Sequence, residues 1–120
     1  MILTELLSRL WPFKSDRAAG LSRALQEVFG VTYEGGDGSS LADAIVIRGA
    51  VYKPLALGAL FGWLNSHHGR KDRDWRVVGF STDSGVDRTI DSVTIEFPNG
   101  TQKVVFFDVS DAFRRRGWAE

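Results

Sequence analysis

The chain has 120 residues, 43% hydrophobic and 25% charged, values of one ordinary globular domain that argue against disorder. Fifteen basic and fifteen acidic residues cancel, so no long-range field draws the chain to nucleic acid or to an anionic membrane. There is no cysteine, which excludes disulfides, thiol catalysis and zinc–thiolate sites together.

Leu3, Leu6, Leu7 and Leu10 follow the i, i+3, i+4, i+7 rule, and predict an amphipathic helix over residues 2–11, ended before Pro12. With Trp11 and Phe13 it makes residues 1–16 a loosely attached arm of a single domain spanning residues 1–120. Glu5 and Arg9 interrupt its apolar pattern and no basic leader precedes it, so it does not read as a secretory signal. No apolar run reaches the ~18 residues of a membrane span, so stable membrane insertion is not expected and a cytoplasmic location is.

Ser15 can cap a second helix, with Leu21, Ala24, Leu25 and Val28 on one face and Gly30 as its stop. Val31-Thr32-Tyr33 reads as a brief strand before a loop, Glu34 to Ser40. Ala44 to Ile47 is too short and too apolar for a surface helix and reads as a buried strand. Pro54 suits the first turn of a third helix, Leu57, Leu60, Phe61 and Leu64 form its stripe, and Gly69 follows as a stop. Pro54 to Leu64 carries no charge, so more than one face of that helix should be covered.

The last third predicts a meander. Trp75 to Ser81 is its first strand, Thr82 to Gly85 a turn, Thr89 to Phe97 the second strand and Gln102 to Val109 the third. Ser110 can cap a final turn, Asp111 to Arg116, closed by Gly117. The fold class is therefore α+β: an antiparallel sheet of three to four strands with helices packed on one face.

Two registers compete at the hairpin around Pro98-Asn99-Gly100. A two-residue Asn99-Gly100 turn sets Glu96 opposite Lys103 but removes a ladder hydrogen bond at Pro98. A three-residue turn uses Pro98 well and sets Ile95 opposite Lys103; it is the favoured register.

Asp37-Gly38-Ser39-Ser40, then Ala44-Ile45-Val46-Ile47, Asp74-Trp75 and Phe107-Asp108-Val109-Ser110 with Phe113 form a spaced series. It resembles a group of small bacterial proteins of no established activity, marked by D-G-S-S…A-I-x-I, a helix, a D-W strand and an F-D-[IV]-[ST] ending. The resemblance spans Asp37 to Gly117. It implies a bacterial source and a shared fold, and it carries over no catalytic residues.

Five places invite a functional reading, each beside a plainer one. The Gly-Gly-Asp-Gly-Ser-Ser loop offers backbone amides and the Asp37, Ser39 and Ser40 side chains to a small ligand. It lacks the lysine of a nucleotide loop, and Asp37 or Ser39 bonding to the local backbone explains it as a turn. His67 and His68, with Asp72 and Asp74 nearby, suggest general-base chemistry. Adjacent helical histidines point about 100° apart and do not chelate one metal, and a helix C-terminus favours them without any chemistry. Arg114-Arg115-Arg116 can grip phosphates but also offsets a helix dipole. The 1–16 arm can lie on a membrane, although Glu5 against Arg9 and Lys14 leaves a thin basic rim. The apolar helix has one face too many for a single sheet: Leu57, Leu60, Phe61 and Leu64 build one, and Gly58 and Gly62 lower the bulk of another.

The reading that best fits this balance is a non-catalytic protein-interaction module, binding a protein partner or a second copy of itself. Leu57, Phe61, Trp63, Leu64, Trp75 and Trp118 are its expected anchors, aromatic residues being common interface hot spots. No cofactor, metal or nucleic acid is expected. The alternative is a small-ligand-binding or hydrolytic site that joins Asp37, Ser39 and Ser40 to His67 or His68.

Overall fold

The structure is a computed structural model that describes residues 26–114. The expected helix over 2–11, the Ser15 helix start, Arg115, Arg116 and Trp118 lie outside the described residues. The described chain begins with helical residues 26–28, followed by Gly30 at φ 68°. Five strands follow, β1 (Thr32–Gly35), β2 (Ile45–Arg48), β3 (Arg76–Ser84), β4 (Thr89–Glu96) and β5 (Gln102–Asp108). Helix α1 (Lys53–His68) separates β2 from β3, and a short α2 (Ser110–Phe113) follows β5.

The strands form one sheet in the order β1-β2-β5-β4-β3. All pairs are antiparallel except β2 with β5, where Ile45 lies beside Phe107 and Val46 beside Asp108. The expected three to four strands are thus corrected to five. The extra strand, β1, is exposed at every residue, so it carries no apolar alternation and is held by its ladder to β2. Strand β3 likewise runs through the expected turn at Thr82 to Ser84, where pairing to Asp91, Ile90 and Thr89 supplies the backbone partners. An edge strand needs hydrogen-bonding partners more than apolar side chains.

Burial alternates along β4 and β5 because successive side chains point to opposite faces. Ile45, Ile47, Val77, Val93, Ile95, Val105 and Phe107 fill one face and join Ala56, Ala59, Leu60, Phe61 and Leu64 of α1 in a single core. On the other face Val104 is exposed and Val46, Ser92, Thr94 and Phe106 are half-buried. The hairpin takes the three-residue form: Phe97 N–H donates to the Thr101 carbonyl, Gly100 N–H to the Phe97 carbonyl, and Ile95 sits opposite Lys103.

Helix α1 has hardly any amphipathic bias, since apolar residues surround it, and it is covered from more than one side. Its glycine face receives β1: the Tyr33 hydroxyl donates to the Ala59 carbonyl at 2.7 Å. A Cβ added at Gly62 would lie 3.3 Å from the Gln26 amide and 3.6 Å from the Tyr33 oxygen. The missing bulk at Gly62 admits these side chains. Trp75 closes the far end, stacked on Phe61 with centroids 6.2 Å apart and its Nε1–H donating to the Gly69 carbonyl at 2.7 Å.

Candidate functional site

Of the six expected anchors, Phe61, Leu64 and Trp75 are core residues with 0%, 0% and 2% of their surface exposed. Leu57 and Trp63 are half-buried, and Trp118 lies outside the described residues. Trp63 packs edge-on against Phe107 at 5.6 Å and carries the His67 ring stacked on it at 3.8 Å. Of this set, Leu57 and Trp63 are the side chains that the described fold leaves within partial reach of solvent.

The glycine loop is built by the sheet. Strand β2 meets only the C-terminal end of β5, and the loop continues the pairing: Phe106 N–H donates to the Gly38 carbonyl at 2.9 Å. At Gly38, φ is +82° and a Cβ would lie 2.6 Å from Val105 Cγ1 and 2.7 Å from Ile45 Cδ1, so a side chain has no room. The polar side chains of the loop bond locally. Ser39 N–H donates to the Asp37 carboxylate, which Ser39 holds below the usual carboxylate range, and the Ser40 hydroxyl donates to Asp43. These bonds are the turn-stabilising type.

The two histidines sit at the C-terminus of α1. His67 Nδ1–H donates to the Trp63 carbonyl at 2.9 Å. His68 lies edge-on to Trp63 and Phe97, and its sheltered Nε2 has no hydrogen-bond partner. Burial, then the charge of Lys103 and that of His67, push its pKa down, which favours the neutral ring. No bond between an imidazole and a serine hydroxyl forms among the described residues. The loop's side chains bond to one another and to Asp43, and the histidines lie against Trp63 and Phe97.

A cleft of about 330 Å³ opens between the 72–76 turn and the β4–β5 hairpin, lined by Asp72, Arg73, Trp75, Arg76, Glu96 and Phe97 among others. Its charged groups answer one another: Arg76 binds Glu96 at 2.6 Å, Arg73 binds Asp74 at 2.9 Å and Asp72 accepts from Lys71 at 3.0 Å. Glu96 is held below its ordinary pKa by Gln102 and then Arg76. Within the cleft these pairs leave little charge to attract a ligand.

The least self-sufficient surface lies at the opposite end of α1. Tyr52, Phe29 and Phe113 are 61%, 48% and 37% exposed, and Val28 is 79% exposed. Phe29 and Tyr52 meet edge to face at 6.3 Å, and Lys53 Nζ stands 4.8 Å from the Phe113 ring. The chain is drawn together here by Asp111, which accepts from Gly49 N–H at 3.0 Å and pairs with Arg48 and Arg114. Sequence periodicity passed over Tyr52 and Phe29 because neither belongs to a repeating stripe. One local signal was available. Tyr52 occupies the N-cap of α1 without a side-chain cap bond, a position where Ser, Thr, Asp or Asn is the stabilising choice.

Among the described residues no group of acidic residues and histidines is placed to hold a metal ion, and no helix is long and apolar enough to cross a membrane. Comparison with protein-family models, curated proteins and solved structures gives no match for this chain.

Proposed function

We propose that this chain is a non-catalytic protein-interaction module whose contact surface is the aromatic end formed by Phe29, Tyr52 and Phe113. The observation that carries the reading is the grouping at solvent of Phe29 and Tyr52, edge to face, with Phe113 beside Lys53, while Phe61, Trp75 and Phe107 are drawn into the core. Exposed aromatic side chains offer large apolar area with few rotatable bonds, which is why Tyr and Trp dominate interface hot spots. The anchors expected from sequence divide accordingly. Phe61, Leu64 and Trp75 hold the scaffold, and Leu57 and Trp63 lie at its margin. A protein partner, either different or identical, fits this surface better than a small ligand, because the aromatic end is an exposed cluster of side chains.

The test is site-specific photo-crosslinking in the cells that make the protein, with p-benzoylphenylalanine in place of Tyr52 and, as control, in place of the exposed Ser81 on β3. A discrete adduct from position 52 and none from position 81 is the expected result. Equal labelling, or none, from both positions refutes the assignment of the surface.

A further inference from the structure

We infer that the joint between the C-terminal turn of α1 and the β4–β5 hairpin is a proton-operated latch, closed while the His68 ring is neutral and released when that ring takes up a proton. The seating of the ring carries this reading, which is independent of the aromatic end. His68 lies edge-on to Trp63 at 6.1 Å and to Phe97 at 5.6 Å, so it bridges the helix end and the exit of β4. Its Nε2 is sealed from solvent and has no hydrogen-bond partner among the described residues. A neutral ring that carries its proton on Nδ1 tolerates this seat, since only a lone pair goes unanswered. A charged ring does not. It would aim an N–H donor where no acceptor stands, and an unpaired buried charge costs far more than an unpaired lone pair.

The neighbouring groups act in the same direction. Lys103 on β5 and His67 on α1 are both basic, and with burial they disfavour the imidazolium. Arg70, Lys71 and Arg73 bring further positive charge to the turn that follows. The acids on these elements are bound elsewhere: Glu96, next to Phe97, by Arg76 and Gln102, Asp72 by Lys71, and Asp74 by Arg73 and the Arg70 amide. Helix carbonyls favour a cation at this end, but it is His67, exposed and bonded to the Trp63 carbonyl, that meets them. Once protonated, His68 gains by leaving Phe97 for water, and the last turn of α1 loses its tie to the hairpin. Phe61, Leu64 and Trp75 still hold the helix on the sheet, so the release is local. A histidine held below its ordinary value of 6.5 supports the closed state fully above about pH 6.5, and that support is lost as pH falls through the folded value.

The experiment is amide hydrogen exchange of the full chain, read by NMR between about pH 8 and about pH 5, the span in which imidazole titrates. Protection factors remove the pH dependence of exchange itself. Gly69 N–H, which donates to the Asn65 carbonyl at 3.3 Å, reports the helix end, and Phe97 N–H, which donates to the Thr101 carbonyl at 2.9 Å, reports the hairpin. Gly69 protection is expected to fall about tenfold in acid, since one linked proton changes an equilibrium by up to a factor of ten per pH unit. Phe97 protection should hold. Nuclear Overhauser contacts between the His68 and Phe97 rings should fade over the same range, and imidazole nitrogen shifts at the alkaline end should place the His68 proton on Nδ1. His68→Phe keeps a ring in the seat and removes the proton, and Gly69 should then lose its pH dependence. Gly69 protection that is unchanged in acid overturns the latch. So does a dependence that survives in His68→Phe, which would assign it to another group. Parallel loss at Phe97 also overturns it, as that is general acid unfolding. The first and third outcomes are read on the unaltered chain, whatever the variant does to folding.

Discussion

Replacing Asp91 by asparagine should stabilise this protein at neutral pH and mildly destabilise it in acid. Asp91 stands on the helix side of β4 opposite Phe107, with 7% of its surface exposed. The Thr82 hydroxyl donates to it at 2.6 Å, but no neighbouring charge offsets the loss of water, and burial raises its pKa. A carboxyl whose folded pKa lies above the unfolded value near 3.9 binds its proton more tightly in the native state. Its contribution is therefore most favourable below about pH 3.9 and is lost as pH rises through the folded pKa. A fully buried ion costs several kcal/mol; the Thr82 bond and residual solvent contact reduce that here to about 2 kcal/mol. Asparagine keeps the acceptor for Thr82 but must place an amide N–H₂ group, which returns about 1 kcal/mol of the gain. The net expectation is about 1 kcal/mol at pH 7, or about 4 °C in Tm for a domain of this size. Urea unfolding of both proteins between pH 7 and pH 3.5 measures it. The advantage of Asp91→Asn should shrink and then reverse toward the acid end, where Asp91 is neutral and only the amide's cost of about 1 kcal/mol is left. A difference that is absent at pH 7, or the same at every pH, refutes the account of Asp91 as a desolvated carboxylate.

Gly38→Ala should destabilise the fold by about 2–3 kcal/mol, because the new methyl enters Val105 and Ile45 at a positive φ; denaturant melts read it, and Ser39→Ala, at an exposed position, serves as control. The Tyr33 phenol, pushed up to about 12 by burial, should stay protonated through pH 11 in ultraviolet titration. The stability tied to it is complete below about pH 10 and is lost as pH climbs from there through about 12, whereas Tyr33→Phe removes that dependence and costs about 1 kcal/mol at pH 7 through the missing bond to Ala59. Lys71 has 2% of its side chain exposed and pairs with Asp72 beside the Phe61 ring. Lys71→Met, which keeps the stem and removes the buried charge, should be neutral or stabilising by about 1 kcal/mol in a thermal melt, whereas Asp72→Ala strands the ammonium and should cost about 2 kcal/mol.

What was legible in the sequence was legible because it is local. The Pro98-Asn99-Gly100 turn, the alternation of Val93 and Ile95, and the apolar helix from Pro54 are set by backbone sterics and by the periods of strand and helix. These side chains face one burial surface whatever lies across from them. The three-residue hairpin register followed from proline's missing amide proton, and Ile95 stands opposite Lys103 as that argument requires.

The rest depended on pairings between distant parts of the chain. A brief strand was expected at Val31 to Tyr33 and stands as β1, Thr32–Gly35, but its place in the sheet was not legible, because it has no buried residue and is held by the ladder to β2. The parallel contact of β2 with β5 joins segments some sixty residues apart. It also turns the glycine loop from a conceivable ligand cradle into a continuation of the sheet edge. The candidate surface moved for the same reason. Composition marks Phe61, Leu64 and Trp75 as large apolar groups but does not tell core from contact, since both use the same side chains. Tertiary packing made that division: the sheet and helix enclose those three, and leave Phe29, Tyr52 and Phe113 exposed toward the end where the helix begins.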